Sequence, residues 1–219
     1  MYTKIRILFF LSVLTYIYSL PSYSDPAVND KFRYPFYGGL TGGYGSTTWG
    51  ELVPQNANVA MSLSTPTSVS EGGFAWGLFG GYEFIPQFAL EASYMHYQAA
   101  RLYFDPMSLF SFDYDGRTEL TSNIETVSLM AKIMLLIPHT TIRAYSSVGP
   151  ATTHRYDAVK NIWRLGPTFG AGFNYNFTAH WMTEIGINYV AGYGKAELDP
   201  TKDYVPFLYS AFLRVGYRF

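Results

Sequence analysis

The sequence predicts an all-β chain folded as an eight-stranded antiparallel up-and-down barrel that crosses a membrane. Three observations carry this. First, residues 204–219 (YVPFLYSAFLRVGYRF) place Tyr209, Ala211, Leu213, Val215, Tyr217 and Phe219 on one face and Ser210, Phe212, Arg214, Gly216 and Arg218 on the other. A period of two is a β-strand, and an apolar outside over a polar inside is the pattern of a lipid-facing barrel wall. Second, aromatic residues make up 19% of the 219 residues and charged ones only 14%, against about 25% charged in soluble domains. Third, the connections between alternating segments are in turn long and short, as in barrels whose short turns face the periplasm and whose long loops face outside.

The segments follow in order. Residues 36–48 (FYGGLTGGYGSTT) put Leu40 and Tyr44 outward and Gly39, Thr41, Gly43 and Gly45 inward, where glycine leaves room in a narrow barrel. Residues 49–71 are rich in Ser, Thr and Asn, contain Pro54 and Pro66, and read as a long loop. Residues 72–84 alternate Phe74, Trp76, Leu78 and Tyr82 against Ala75, Gly77, Phe79, Gly81 and Glu83, and Pro86 marks a tight turn. Residues 88–98 oppose Leu90, Ala92 and Tyr94 to Glu91, Ser93 and Met95. After a second long segment, 99–121, residues 122–136 set Val127, Leu129, Ala131, Ile133 and Leu135 against Ser128, Met130, Lys132 and Met134.

A short turn leads to residues 141–153, with Arg143, Tyr145, Ser147 and Gly149 inward, and then to a polar loop at 154–162. Residues 163–177 turn Phe169, Ala171, Phe173, Tyr175 and Phe177 outward and Gly170, Gly172, Asn174 and Asn176 inward. Residues 181–189 oppose Ile185, Ile187 and Tyr189 to Glu184, Gly186 and Asn188 before the fourth long connection, 191–203, and the final strand.

The N-terminus reads as an address. Lys4 and Arg6 precede an apolar run at 7–18 and a small-x-small site at Ser22, Tyr23 and Ser24, so residues 1–24 are expected to be a cleaved signal peptide and 25–219 the barrel domain. The run is short of the roughly 20 apolar residues a spanning helix needs. A net charge of −1 offers no basic field for nucleic acid. With no cysteine there is no disulfide framework, thiolate nucleophile or cysteine metal site.

Within the spans the charged residues Glu83, Glu91, Lys132, Arg143, Glu184, Arg214 and Arg218 all take the parity opposite the apolar residues. A Lys or Arg facing lipid at mid-membrane costs about 2–4 kcal/mol. The sequence therefore predicts an interior ion network of these seven groups, in a barrel narrow enough for side chains to fill it.

The Gly/aromatic strand GGFAWGLFGGYEF (72–84), ALEASY (89–94), GAGFNYNF (170–177), the inward Glu184 and the ending FLRVGYRF (212–219) resemble the OmpA/OmpX-type, opacity-protein-like eight-stranded barrels of the bacterial outer membrane. The resemblance covers essentially the whole mature chain. It implies export through the periplasm to the outer membrane, with outer-membrane lipid, lipopolysaccharide and the assembly machinery as partners. Leu213, Val215, Tyr217 and Phe219 then resemble the C-terminal assembly signal of such proteins.

The chemistry in the sequence is sparse. No cofactor, metal or catalytic residue is expected: of His96, His139, His154 and His180 none sits beside a serine in the spacing of the barrel lipid deacylases, and their separation argues against a metal site. The segment 99–121 stands out, because Tyr103, Phe104, Met107, Leu109, Phe110, Phe112 and Tyr114 are too apolar for a solvated loop. Either the flanking strands extend beyond the membrane as a hairpin that buries these residues, or they form an exposed patch for a host or envelope ligand. The expected function is that of a non-enzymatic barrel with surface loops for adhesion and a structural role in the envelope. The alternatives are a small gated pore and a lipid-modifying enzyme.

Overall fold

Alternation along each strand gives the wall one apolar face, which points out, and a second face that carries its small, polar and charged residues and points in. The computed structural model describes residues 34–54, 65–106, 117–138, 140–194 and 204–219. The expected signal peptide at 1–24 lies outside the described residues. The strands are β1 (Phe36–Thr47), β2 (Ser68–Ser70), β3 (Gly73–Ile85), β4 (Phe88–Tyr103), β5 (Glu119–Leu136), β6 (Ile142–Tyr156), β7 (Asn161–Asn176), β8 (Trp181–Val190) and β9 (Leu208–Arg218). Eight of them pair antiparallel in the ring β1, β3, β4, β5, β6, β7, β8, β9, and β9 returns to β1. Closure removes the unpaired backbone edges that lipid could not solvate. The three-residue β2 lies outside the ring, paired to the far end of β4.

The predicted faces hold. Leu40, Ile185 and Ile187 are 60–66% exposed on the outside, while Thr41, Phe79, Ser93, Lys132 and Asn174 are buried inside. The final strand starts at Leu208 instead of Tyr204, because Tyr204 and Val205 turn inward and Val205 bridges to Tyr193.

Two connections differ from the sequence reading, and a third takes one of the two arrangements that reading allowed. The segment 49–71 opens with a 3-10 turn (Trp49–Leu52) whose N-terminal amides of Trp49 and Gly50 donate to the Glu71 carboxylate at 2.7 and 3.1 Å. Where it is described, the segment 99–121 takes the first of its two expected arrangements: the flanking strands β4 and β5 extend as a hairpin and pair as far as Tyr103 and Glu119. The polar loop expected at 154–162 is a tight hairpin, with β6 and β7 paired up to Tyr156 and Asn161. Asp157 closes it by accepting from the backbone N–H groups of Val159 and Lys160 at 2.9 and 2.8 Å, an aspartate turn that replaces the long loop.

In β4 a register shift between Tyr97 and Ala100 inserts a bulge. Up to Tyr97 the odd-numbered residues face inward; beyond the bulge the even-numbered Ala100 and Leu102 do. A strict period of two cannot anticipate that switch.

At the closing seam, Gly39 faces Gly216 and Gly43 faces Phe212. A Cβ on Gly43 would lie 2.7 Å from the Cα of Phe212, and one on Gly39 would lie 2.6 Å from the Cα of Gly216. The backbones approach this closely only because those positions lack side chains. Gly43→Val should therefore prevent closure. Refolding into detergent should give severalfold less of the heat-modifiable band that marks a folded barrel; a wild-type yield would contradict this account of the seam.

Candidate functional site

Parity sends seven charged side chains inward, and the register decides which of them meet. Arg143 on β6, Asn174 on β7, Glu184 on β8 and Arg214 on β9 are successive cross-strand partners. All seven predicted network residues are between 1% and 8% exposed. They form two layers. Near the short turns, Glu83 takes Arg143 Nη1 on one oxygen and Arg218 Nη2 on the other, each at 2.6 Å. At mid-barrel, Glu91 accepts from Arg214 Nη1 at 2.6 Å, Lys132 Nζ at 3.2 Å and Tyr37 OH at 3.0 Å. Glu184 accepts from Arg214 Nη1 at 3.1 Å and makes a short bond to Lys132 Nζ. Asn174 joins the layers: its Oδ1 accepts from Arg143 Nη2 at 2.9 Å, and its Nδ2 donates to Glu184 at 3.5 Å.

Aromatic faces line the same space. Lys132 Nζ sits 4.0 Å from the centre of the Tyr145 ring, and the Arg214 guanidinium 4.2 Å from that of Phe212. Such contacts stabilise cations withdrawn from water.

Above the ions the filling changes character. Ala75, Met95, Tyr97, Ile124, Ala151, Val190 and Leu208 form an apolar layer across the barrel. Higher still, Arg155 is fully buried, bonded to Asp157 at 2.6 Å and to the carbonyl of Tyr204 at 2.6 Å, with its guanidinium 4.7 Å from the Trp49 ring centre. Trp49, Leu52, Ala100, Leu102, Phe104, Leu120 and Tyr204 then cap the loop side. Burial raises the Tyr204 phenol to about 12; it stays protonated, and its OH meets the backbone carbonyl of Thr48 at 2.9 Å. Sequence reasoning allowed the 99–121 residues to be buried in a hairpin but missed Trp49 and Arg155, because both lie in segments read as polar loops.

The proposed binding residues divide. Tyr103 is partly exposed on the outer side of the β4–β5 hairpin, but Phe104 is buried in the cap and does not offer its ring to a partner. Met107, Leu109, Phe110, Phe112 and Tyr114 lie outside the described residues. Leu213, Val215, Tyr217 and Phe219 face outward along β9.

Within the predicted spans one charge departs from the expected segregation; Arg101 and Glu119, on the extended ends of β4 and β5, also face outward. Glu125 shares the outward parity of Val127 and Leu129. The histidines are also less isolated than their spacing implies: His96 Nδ1 lies 3.4 Å from Glu125 Oε1, and His154 Nδ1 lies 3.9 Å from Oε2. Tyr156 OH donates to Oε1 at 3.3 Å. Among the described residues, no group of three or more His, Cys, Asp or Glu is arranged to hold a metal ion.

Removing a carboxylate from the mid-barrel layer isolates its cations. Glu91→Ala leaves Lys132 and Arg214 with Glu184 alone, and should destabilise the barrel by about 3–5 kcal/mol, the usual cost of breaking a buried pair. Urea unfolding in detergent should show a lower midpoint. An unchanged midpoint would mean that these groups are hydrated.

The sequence matches the family described as Outer membrane protein beta-barrel domain over residues 20–219. Among curated proteins none matches it in sequence. Among solved structures, Neisserial surface protein A superposes with a TM-score of 0.51 at 12% identity, covering 84% of this chain and 97% of that one. The outer membrane protein OprG from Pseudomonas aeruginosa gives 0.51 at 13%, covering 85% and 96%. At these identities the likeness is one of fold, and it agrees with the closed eight-stranded ring and its apolar exterior. This chain belongs to the outer-membrane protein β-barrel family.

Proposed function

We propose that the protein is a non-enzymatic outer-membrane barrel that acts through the surface its loop-side connections build, engaging a host or envelope ligand while the wall supports the membrane. The observation that carries this reading is the contrast between a filled interior and an overlong hairpin. Charged, apolar and capping layers succeed one another inside, whereas β4 and β5 run to 16 and 18 residues. About 9–11 residues cross a membrane, so the surplus in β5 lifts the hairpin on the order of 15 Å beyond the bilayer. Its inward residues Ala100, Leu102 and Leu120 serve the cap, and the outward ones, which neither lipid nor cap requires, are free to recognise something else.

The filled interior weighs against the pore alternative, since an ion would have to pass the apolar layer around Tyr97 and Leu208. The enzyme alternative needs a serine activated by histidine; His96 and His154 turn to Glu125 instead.

Deleting residues 107–116 should leave a folded, heat-modifiable barrel while abolishing adhesion or ligand binding by whole cells. Binding that survives the deletion would move the site to the 49–71 or 191–203 connection. In planar bilayers the intact protein should show no unitary conductance; reproducible steps would favour the pore.

The terminal strand carries a separate proposal. Phe219 completes the expected assembly signal, and its deletion should lower the amount of protein reaching the outer membrane, in a cell that also processes residues 1–24 as a signal. Normal outer-membrane levels would remove Phe219 from that role.

A further inference from the structure

The interior network holds one more cation than it has carboxylates, and the pairing assigns that excess to one place. At mid-barrel Glu91 and Glu184 face Lys132 and Arg214, two charges of each sign. In the layer near the short turns, Glu83 is the one acid paired with Arg143 and Arg218 among the described residues, so two cations stand against one carboxylate. A guanidinium keeps its proton in a protein, and these three side chains are buried. An unneutralised charge withdrawn from water is costly, so this layer calls for an anion that the chain itself does not supply.

The unused hydrogen-bond donor sits in the same layer. Arg143 engages its donors fully: Nε and Nη2 reach Asn174 Oδ1 at 3.3 and 2.9 Å, and Nη1 reaches Glu83 and the Pro86 carbonyl at 2.6 and 3.4 Å. Arg218 gives Nη2 to Glu83 at 2.6 Å, but its Nε–H is buried and meets no acceptor among the described residues. Two other arginines have an unpartnered nitrogen without an unneutralised charge. Arg214 belongs to the balanced mid-barrel layer, with the Phe212 and Phe79 ring centres 4.2 and 4.9 Å from its guanidinium, and Arg155 is matched by Asp157. Excess charge and a spare donor coincide at Arg218.

We propose that the turn-side layer binds a monovalent halide, chloride or bromide, which accepts the Arg218 Nε–H and balances the charge that Glu83 leaves over. The surroundings select the ion. Tyr37, Phe79, Ala89, Met134, Tyr145 and Met182 pack around these ion pairs, and the Arg218 guanidinium lies 5.6 Å from the Tyr37 ring centre. Side chains fill a barrel this narrow, so the anion must be small, carry one charge and part readily with its water. Arg218 is the last residue of β9, Arg143 the second of β6, and Glu83 stands two before the end of β3. The site is therefore at the turn-side end of the lumen, outside the mid-barrel and apolar layers. A halide held there brings the interior network to neutrality and couples the closing strand to the ions of the surrounding solution. None of this depends on the loop reading.

The test refolds the full barrel into a maltoside detergent and follows urea unfolding in sodium fluoride, chloride or bromide at one ionic strength. Strongly hydrated anions such as fluoride stabilise folded proteins in general by exclusion from their surface, so a specific site for the larger halides reverses the usual order. At tenfold excess over the dissociation constant, chloride or bromide should raise the wild-type midpoint above that in fluoride by about 0.5–1.4 M urea. Arg218→Gln removes both the excess charge and the Nε–H, and should lose this gain. Arg101→Gln, at an exposed arginine on the β4–β5 hairpin, should keep it. Crystals of the wild type grown in bromide should show an anomalous scattering peak beside Arg218 Nε. A midpoint no higher in chloride than in fluoride, a halide gain that survives Arg218→Gln, or bromide crystals without that peak would each overturn the proposal. If Arg218→Gln does not refold, the bromide crystals of the wild type decide alone.

Discussion

A wall that faces lipid drives ionised groups inward, and inside a barrel this narrow each must find a partner or bear the cost of lost hydration. The arrangement meets that demand by sharing. Each interior carboxylate contacts two cations: Glu83 takes Arg143 and Arg218, while Glu91 and Glu184 each take Lys132 and Arg214. Three carboxylates thus hold four cations, and Asn174 carries hydrogen bonds between the layers. The bonds span long separations in the chain, 123 residues between Glu91 and Arg214 and 135 between Glu83 and Arg218. They form only when β9 has closed onto β1, so the final strand brings closure and charge pairing together. The glycines of β1 are part of the same device, since they let the seam approach closely enough for Arg214 and Arg218 to reach across.

The filling above the ions gives the two ends of the barrel different roles. Toward the short turns, Tyr37, Phe79, Ala89, Met134, Tyr145 and Met182 pack as a buried cluster around the ion pairs. Toward the loops, Trp49, Leu102, Phe104 and Tyr204 close the barrel like a small protein core, and Arg155 is held beneath them by Asp157 and the Tyr204 carbonyl. Segments far apart in sequence are tied together here, as in the contact of Thr48 with Tyr204 at 2.7 Å. The cap holds the base of the β4–β5 hairpin through Ala100, Leu102, Phe104 and Leu120.

Glu125 shows what the same electrostatics permit on the outer wall. Its carboxylate shares the outward parity of β5 and is met by two imidazoles and a tyrosine hydroxyl. The interior network pairs buried cations with buried carboxylates, whereas the outer-wall cluster sets one carboxylate between two histidines.

The architecture was legible in the sequence because lipid imposes one rule on every strand. Tyr209 to Phe219 by twos, Leu40 with Tyr44, and Val127 to Leu135 each declare an outward face, and the seven inward charges follow by parity alone. What parity cannot convey is register and its interruptions. Which cation meets which carboxylate depends on the stagger of neighbouring strands. The bulge after Tyr97 reverses which residues of β4 face inward, and so turned Leu102 and Phe104 from an apparent loop patch into a buried cap. Asp157 closed a turn where the polar composition of 154–162 suggested a long loop. His96, Glu125 and His154 are separated by 29 residues at each step, and only the pairing of β4, β5 and β6 makes them neighbours. Sequence by itself determined the lipid-facing side of the unbroken strands, because hydrophobicity is a property of single residues; the tertiary structure alone decided where the alternation is interrupted and which residues touch, because contact across a barrel is set by closure and register.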